Sequence, residues 1–234
     1  MLTHLLPRPK KPITYRLLTQ PQLPLISAAF MEILLAKNGV FARGLRAGLE
    51  VAVPVAQVTF PGPLYELQPY LKLEYPRPDP HLLERMLELA RHSYDPKTGQ
   101  PLESLFYLYW EEASGEWRLH LPQQAQTPYS VRPLLNTQLE QEIYRRTLIE
   151  VHTHPLGSSY FSTIDDQDER CGFRLFGCLA NLFGPGQPQI RLRVGLHSYF
   201  WEFEAKKVWN LGSQVVDALT HEQKGEPKED ELSS

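Results

Sequence analysis

Apolar residues fall mostly in short alternating or continuous blocks, and a helical spacing governs only a few segments. FMEILLA (30–36) and VFARG (40–44) flank Lys37-Asn38-Gly39, an Asn-Gly signal for a β-hairpin. LEVAVPVAQVTF (49–60) predicts a further strand, and Pro54 inside it calls for an edge or a bulge. The first 24 residues, rich in proline and basic side chains, read as an extended arm. Residues 1–75 therefore form a β-rich N-terminal extension without visible chemistry.

A proline-rich joint, YPRPDP (75–80), opens the next region. Asp79 is placed as an N-cap and Pro80 as the first helical residue. Leu82, Leu83, Met86, Leu87 and Ala90 then form one stripe at helical spacing, a core face. PLESLFYLYWEE (101–112) and EWRLHLP (116–122) read as two strands joined at Ser114-Gly115. The first is aromatic enough to be packed on both faces. NTQLEQEIYRR (136–146) is a second helix, with Thr137 and Glu140 at capping-box spacing. RLFGCLANLF and QIRLRVGLHSYFWEFE give more strands around a GPGQP turn. AKKVWNLGSQVVDALTH (205–221) is read as a terminal helix. The fold class that follows is α/β (α+β), a mixed β-sheet flanked by helices over 76–215. A polar tail, assigned to 216–234, is expected to be disordered.

The chain of 234 residues carries 42% hydrophobic and 22% charged residues, ordinary for a globular protein. A net charge of −3 gives no general attraction to nucleic acid or to an anionic membrane. No apolar run approaches the roughly 20 residues of a membrane-spanning helix. In MLTHLLPRPKK the basic residues follow the apolar ones, the wrong order for a secretory signal, so a cytoplasmic location is expected. Cys171 and Cys178 imply no disulfide framework and read as two small buried thiols.

The chemistry concentrates in IEVHTHPLGSSYFSTIDDQDE (149–169). His152 and His154 are two apart on a predicted strand, so both imidazoles project from one face. Pro155 and Gly157 break that strand, and Ser162-Thr-Ile-Asp165 then fits an S-x-x-D helix start. Gly172 closes the helix after about two turns. Asp165, returned by the loop, supplies a third ligand beside His152 and His154. Three protein ligands with a fourth position left for water are the arrangement of a catalytic zinc.

These residues resemble the JAMM motif of the JAB/MPN metalloproteases: H-T-H-P-x-G, then S-T-I-D, with ten residues between the second histidine and the aspartate. Within that family, YFSTIDDQDE and the GFRLFGCLANL that follows are similar to the bacterial PRTRC system protein A branch. The likeness covers roughly residues 80–205. Many members carry proline where Phe161 stands, a departure expected to affect loop stiffness. The resemblance implies a JAB/MPN-like core and zinc held by His152, His154 and Asp165. It also implies Ser162 polarising a scissile carbonyl and an upstream glutamate activating the zinc-bound water. The implied substrate is a peptide or isopeptide bond at the C-terminus of a ubiquitin-like protein, with a ThiF-type activating enzyme as a partner.

Glu103 and Glu150 compete for the role of base. Glu103 heads the strand after the capped helix, the place the family gives its catalytic glutamate, and is favoured. Glu150 shares the histidine face and has the alternative of orienting a histidine. Glu111 and Glu112 read as solvated charges, His120 and His197 as structural strand histidines, and Arg191 with Arg193 as a solvated face. A TIM-barrel amidohydrolase needs more chain than the 80 residues after His154, and H-x-H-x-D-H and cupin patterns do not fit Pro155-Leu156-Gly157. A small-amide hydrolase and a JAB/MPN scaffold without catalysis are the other readings.

Overall fold

The computed structural model describes residues 11–222. The chain divides into two compact units, one ending at Glu74 and the other beginning at Tyr75. Both are strand-rich, and together they give the mixed α/β class with few helices.

The first unit is one five-stranded sheet in sequence order: β1 (Ile13–Leu17), β2 (Met31–Ala36), β3 (Gly39–Arg46), β4 (Leu49–Ala56) and β5 (Tyr70–Leu73). β1 runs parallel to β2, and every other pair is antiparallel. The expected arm thus holds a strand, while its residues 1–10 lie outside the described residues. Ala36 pairs with Gly39, so the β2–β3 turn is Lys37-Asn38. Gly39 has φ 156°, and a Cβ there would come within 2.5 Å of the Ala56 carbonyl oxygen. Pro54 lies beyond Ala52, the last β4 residue paired with β5, and near a register shift at Val40/Phe41. That is the edge-and-bulge setting a strand proline requires. Leu18, Leu34, Ala36 and Phe41 form the apolar cluster of this unit. Buried Arg43 meets Glu32 at 3.3 Å and Glu50 at 2.7 Å.

In the second unit α1 (Pro80–Arg91) starts where its cap directs: the Asp79 side chain accepts from the His81 amide at 3.0 Å. Its stripe from Leu82 to Ala90 is buried. Then follow β6 (Leu105–Glu111), β7 (Glu116–His120), the small hairpin β8 (Gln124–Thr127) with β9 (Ser130–Pro133), and α2 (Gln138–Arg146). Thr137 caps α2, but the Glu140 side chain turns to His120 Nε2 at 3.0 Å, so only half of a capping box forms. β10 (Ile149–His154), α3 (Thr163–Glu169), β11 (Phe173–Ala180), β12 (Gln189–Leu196), β13 (Tyr199–Phe203), β14 (Val216–Asp217) and α4 (Ala218–Glu222) complete it.

The large sheet has the order β13-β12-β11-β10-β6-β7, with β14 beside β12. Among the described residues no helix is long and apolar enough to cross a membrane. Residues 205–221 make a 3₁₀ turn (Ala205–Lys207), β14 and the short α4 rather than one helix. Pairing of Val216 with Gln189 carries the ordered domain past the expected boundary at 215. Residues 223–234 of the expected tail lie outside the described residues.

Strand alternation gives this sheet two chemically distinct faces. Phe106, Leu108, Ile149, Val151, Leu175, Leu179, Ile190, Leu192 and Val194 are buried on one. On the other, cross-strand register makes rows in which polar and charged residues stand among apolar ones. One row is Leu105–His152–Cys178–Arg191, and the next is Tyr107–Glu150–Phe176–Arg193.

Candidate metal centre

His152 and His154 sit at the C-terminal end of β10 on the polar face, with parallel β11 on one side and antiparallel β6 on the other. The chain leaves the strand at Pro155, loops outward and re-enters at Ser162, which starts α3. A full capping box fixes that re-entry. The Asp165 amide donates to Ser162 Oγ at 3.2 Å, and the Ser162 amide donates to Asp165 Oδ2 at 2.6 Å. The box turns the Asp165 carboxylate back over the histidines. His152 Nε2 and His154 Nε2 are 3.2 Å apart, and Asp165 stands 3.4 Å from the first and 3.6 Å from the second.

Cys178 pairs in register with His152 on β11. The donor atoms of His152, His154 and Cys178 lie within 4.8 Å of one another, so this group can hold a metal ion. Of the two thiols expected to be buried, Cys178 is buried and faces the site, whereas Cys171 is exposed.

Glu103 reaches the same point from β6. Extending the β6–β10 register two residues past the Leu105–His152 pair sets Glu103 opposite His154. Thr153 donates its amide to the Ser104 carbonyl at 3.0 Å, and the Ser104 amide donates to Thr153 Oγ1 at 2.8 Å. These bonds hold the segment that leads into β6 against β10, with Glu103 Oε1 3.9 Å from His154 Nε2. Glu150 shares the face but is engaged elsewhere: Arg174 donates to its Oε2 at 2.7 Å and lies over the Tyr144 ring at 4.2 Å.

Electrostatics separate the four titrating groups. Burial pushes Glu103 up to about 7, with Asp165 adding to the rise and His154 opposing it. Burial likewise drives His152 down to about 4. For His154 burial acts downward, but hydrogen bonding to Asp165 and Cys178 wins and lifts it to about 11. Asp165 is also disfavoured by burial, yet His154, His152 and the Ser162 amide hold it well below the usual carboxylate range.

A cleft of about 270 Å³ lies over these residues. Its floor includes Glu103, Glu150 and His152, one wall is Tyr129–Pro133 of the β8–β9 hairpin, and the other is α3 through Ile164 and Asp168. That hairpin has weak sequence signals: QAQT and SVRP are too short and polar for an apolar pattern, and only Pro128 hints at the turn.

Three other assignments change. Arg191 and Arg193 are 2% and 4% exposed and ion-paired, not a solvated face. Phe161 does more than alter loop stiffness: its ring meets His152 edge-on at 5.8 Å and lies 3.8 Å from the Arg193 guanidinium carbon. His197 is not on a strand but in the β12–β13 turn with φ 56°; His120, at the end of β7, pairs with Glu140. Compared with protein-family models the chain matches none, and a search of curated proteins returns no match.

Proposed function

We propose that this protein is a zinc-dependent metallopeptidase of the JAMM type, with His152, His154 and Asp165 as ligands. One observation carries the reading: His152 Nε2 and His154 Nε2 lie 3.2 Å apart, and the Asp165 carboxylate faces both, with Oδ1 3.4 Å from the first and Oδ2 3.6 Å from the second. Ligands about 2.1 Å from a tetrahedral zinc are separated by roughly 3.4 Å. The looser group with Cys178, whose donors spread to 4.8 Å, fits such an ion less well. Two imidazoles and a carboxylate are also the borderline donor set that suits zinc.

Zinc bound there supplies Lewis acidity toward a carbonyl oxygen and a nucleophile from water near neutral pH. The chain's own groups do the proton handling. Glu103, held beside the ligands without being one of them, accepts a proton at its carboxylate and delivers it to the departing amine. A buried carboxyl raised to about 7 is poised for both transfers. Ser162 Oγ accepts the Asp165 amide through a lone pair, which leaves its hydroxyl proton for a developing oxyanion. One donor of that kind contributes about 3 kcal/mol in the transition state. Glu150, whose carboxylate is committed to Arg174, is the less available candidate.

The substrate proposed is a peptide or isopeptide bond after the C-terminal glycine of a ubiquitin-like protein, with a ThiF-type activating enzyme as partner. Both rest on the motif resemblance. The test is twofold. Purified protein should carry one zinc per chain, lost in His154→Ala and retained in Cys178→Ser. Zinc-loaded protein should cleave C-terminal ubiquitin-like fusions. Stoichiometric zinc without cleavage of protein or small-amide substrates would leave a binding scaffold; no zinc at all removes the enzyme reading.

A further inference from the structure

A histidine that ligates through Nε2 needs its Nδ1 proton held by an acceptor, since that bond fixes the tautomer and the ring orientation. His154 has one in the Ser158 carbonyl, 2.9 Å from its Nδ1. On the Nδ1 side of His152 stands Glu169 Oε1, at an ion-pair distance of 3.9 Å. Glu169 lies one turn along α3 from Asp165, so the same short helix offers a carboxylate to each side of the His152 ring.

Nothing in the motif requires Glu169 to be buried, yet it is 5% exposed and is held there. Arg193, in the row beside His152 on β12, donates from Nε at 2.8 Å to Glu169 Oε2, and its Nη2 lies 2.6 Å from the same oxygen as an ion pair. Its Nη1 donates to Asp166 Oδ1 at 2.5 Å, a second residue of α3. The guanidinium carbon lies between the Phe161 ring at 3.8 Å and the Phe200 ring at 4.1 Å. All contacts of Glu169 with Arg193 use one oxygen, which leaves the other turned to the imidazole. A planar, rigid fork clamped between two rings is suited to hold a carboxylate in one orientation.

We propose that Glu169 is the positioning residue of His152, and that Arg193 is the strut that orients Glu169. Glu169 thereby presets the His152 tautomer whose Nε2 lone pair points at the metal position. The inference rests on the zinc reading of His152, His154 and Asp165, and goes beyond it by assigning roles to two residues outside the ligand set.

The experiment measures zinc affinity by chelator competition and the visible spectrum of the cobalt-substituted protein. Wild type, Glu169→Gln, Glu142→Gln as an exposed control, and the double variant Glu169→Gln/Arg193→Met are compared. Removing an orienting partner of a metal-bound histidine lowers affinity by roughly 10- to 100-fold. That loss is expected in Glu169→Gln, with a shifted cobalt spectrum and no change in Glu142→Gln. The double variant removes the buried arginine left short of a partner, so a purely structural role would be relieved there; the affinity loss should persist. Wild-type affinity in either folded Glu169 variant overturns the inference while leaving the zinc reading intact. Absence of zinc binding in the wild type overturns both.

Discussion

Glu103 Oε1 lies 3.9 Å from His154 Nε2 because β6 and β10 are in antiparallel register, which sets the two residues opposite each other. The acid stands two residues ahead of β6, in a segment that the Ser104–Thr153 bonds tie to β10. Glu103→Gln keeps the size and the neighbours but cannot take a proton. It should lower kcat for fusion cleavage by roughly 10²- to 10⁴-fold, the usual worth of a general base. Zinc content, measured by atomic emission, should stay at the wild-type level. Full activity in Glu103→Gln would remove it from the mechanism.

Metal uptake should release protons. In the metal-free protein His154 is held up to about 11 by its neighbours, so it is protonated at pH 7.5, whereas His152, at about 4, is neutral. A ligand nitrogen must be deprotonated to bind. Zinc titration at pH 7.5 is expected to release about one proton from His154, read as the buffer dependence of the calorimetric enthalpy. Asp165→Asn removes the strongest of the partners that raise His154, and there the proton release should shrink along with the affinity. An enthalpy independent of buffer ionisation would contradict this.

What the chain disclosed in advance was local. Asp79 with Pro80, and Ser162 with Asp165, are caps whose partners lie within three residues, so spacing alone located both helix starts. The histidine pair was legible because alternation along one strand determines which side chains share a face. Arg193 was misread because its partners, Glu169 and Asp166, are 24 and 27 residues away and meet it only through the β11–β12 pairing. Burial of an arginine is a tertiary property that its own strand does not encode. The β8–β9 hairpin escaped for a related reason: it forms its own two-stranded pair beside β6 and carries no apolar alternation. Residues after Ala205 misled by composition, since Val208 and Trp209 are buried around a 3₁₀ turn and do not form a helical stripe.

The pH profile of cleavage should show an acidic limb. Glu103 accepts a proton only when ionised, and burial raises it from 4.5 to about 7, so activity climbs with rising pH as the carboxylate empties. A bound dication stabilises the ionised form and moves that limb below about 7. The profile of kcat/KM at fixed saturating zinc is therefore expected to rise through a midpoint between the two values and then flatten. The limb should be missing from the residual rate of Glu103→Gln. Persistence of the same limb in that variant would assign the titration to another group.

Glu150 offers the sharpest separation of stability from catalysis. It shares a face with the ligands, but its Oε2 is committed to Arg174 at 2.7 Å, and Arg174 is only 7% exposed at its side chain. Removing one member of such a pair leaves a charge without compensation in a poorly solvated place, which costs about 3 kcal/mol or more. Glu150→Ala should therefore lower the denaturation midpoint markedly. Glu150→Ala with Arg174→Met, which leaves no orphaned charge, should recover much of that loss. Below the unfolding transition both should bind zinc as the wild type does and retain cleavage within an order of magnitude. The opposite pattern, a stable Glu150→Ala protein that binds zinc but does not cleave, would transfer the role of base from Glu103 to Glu150.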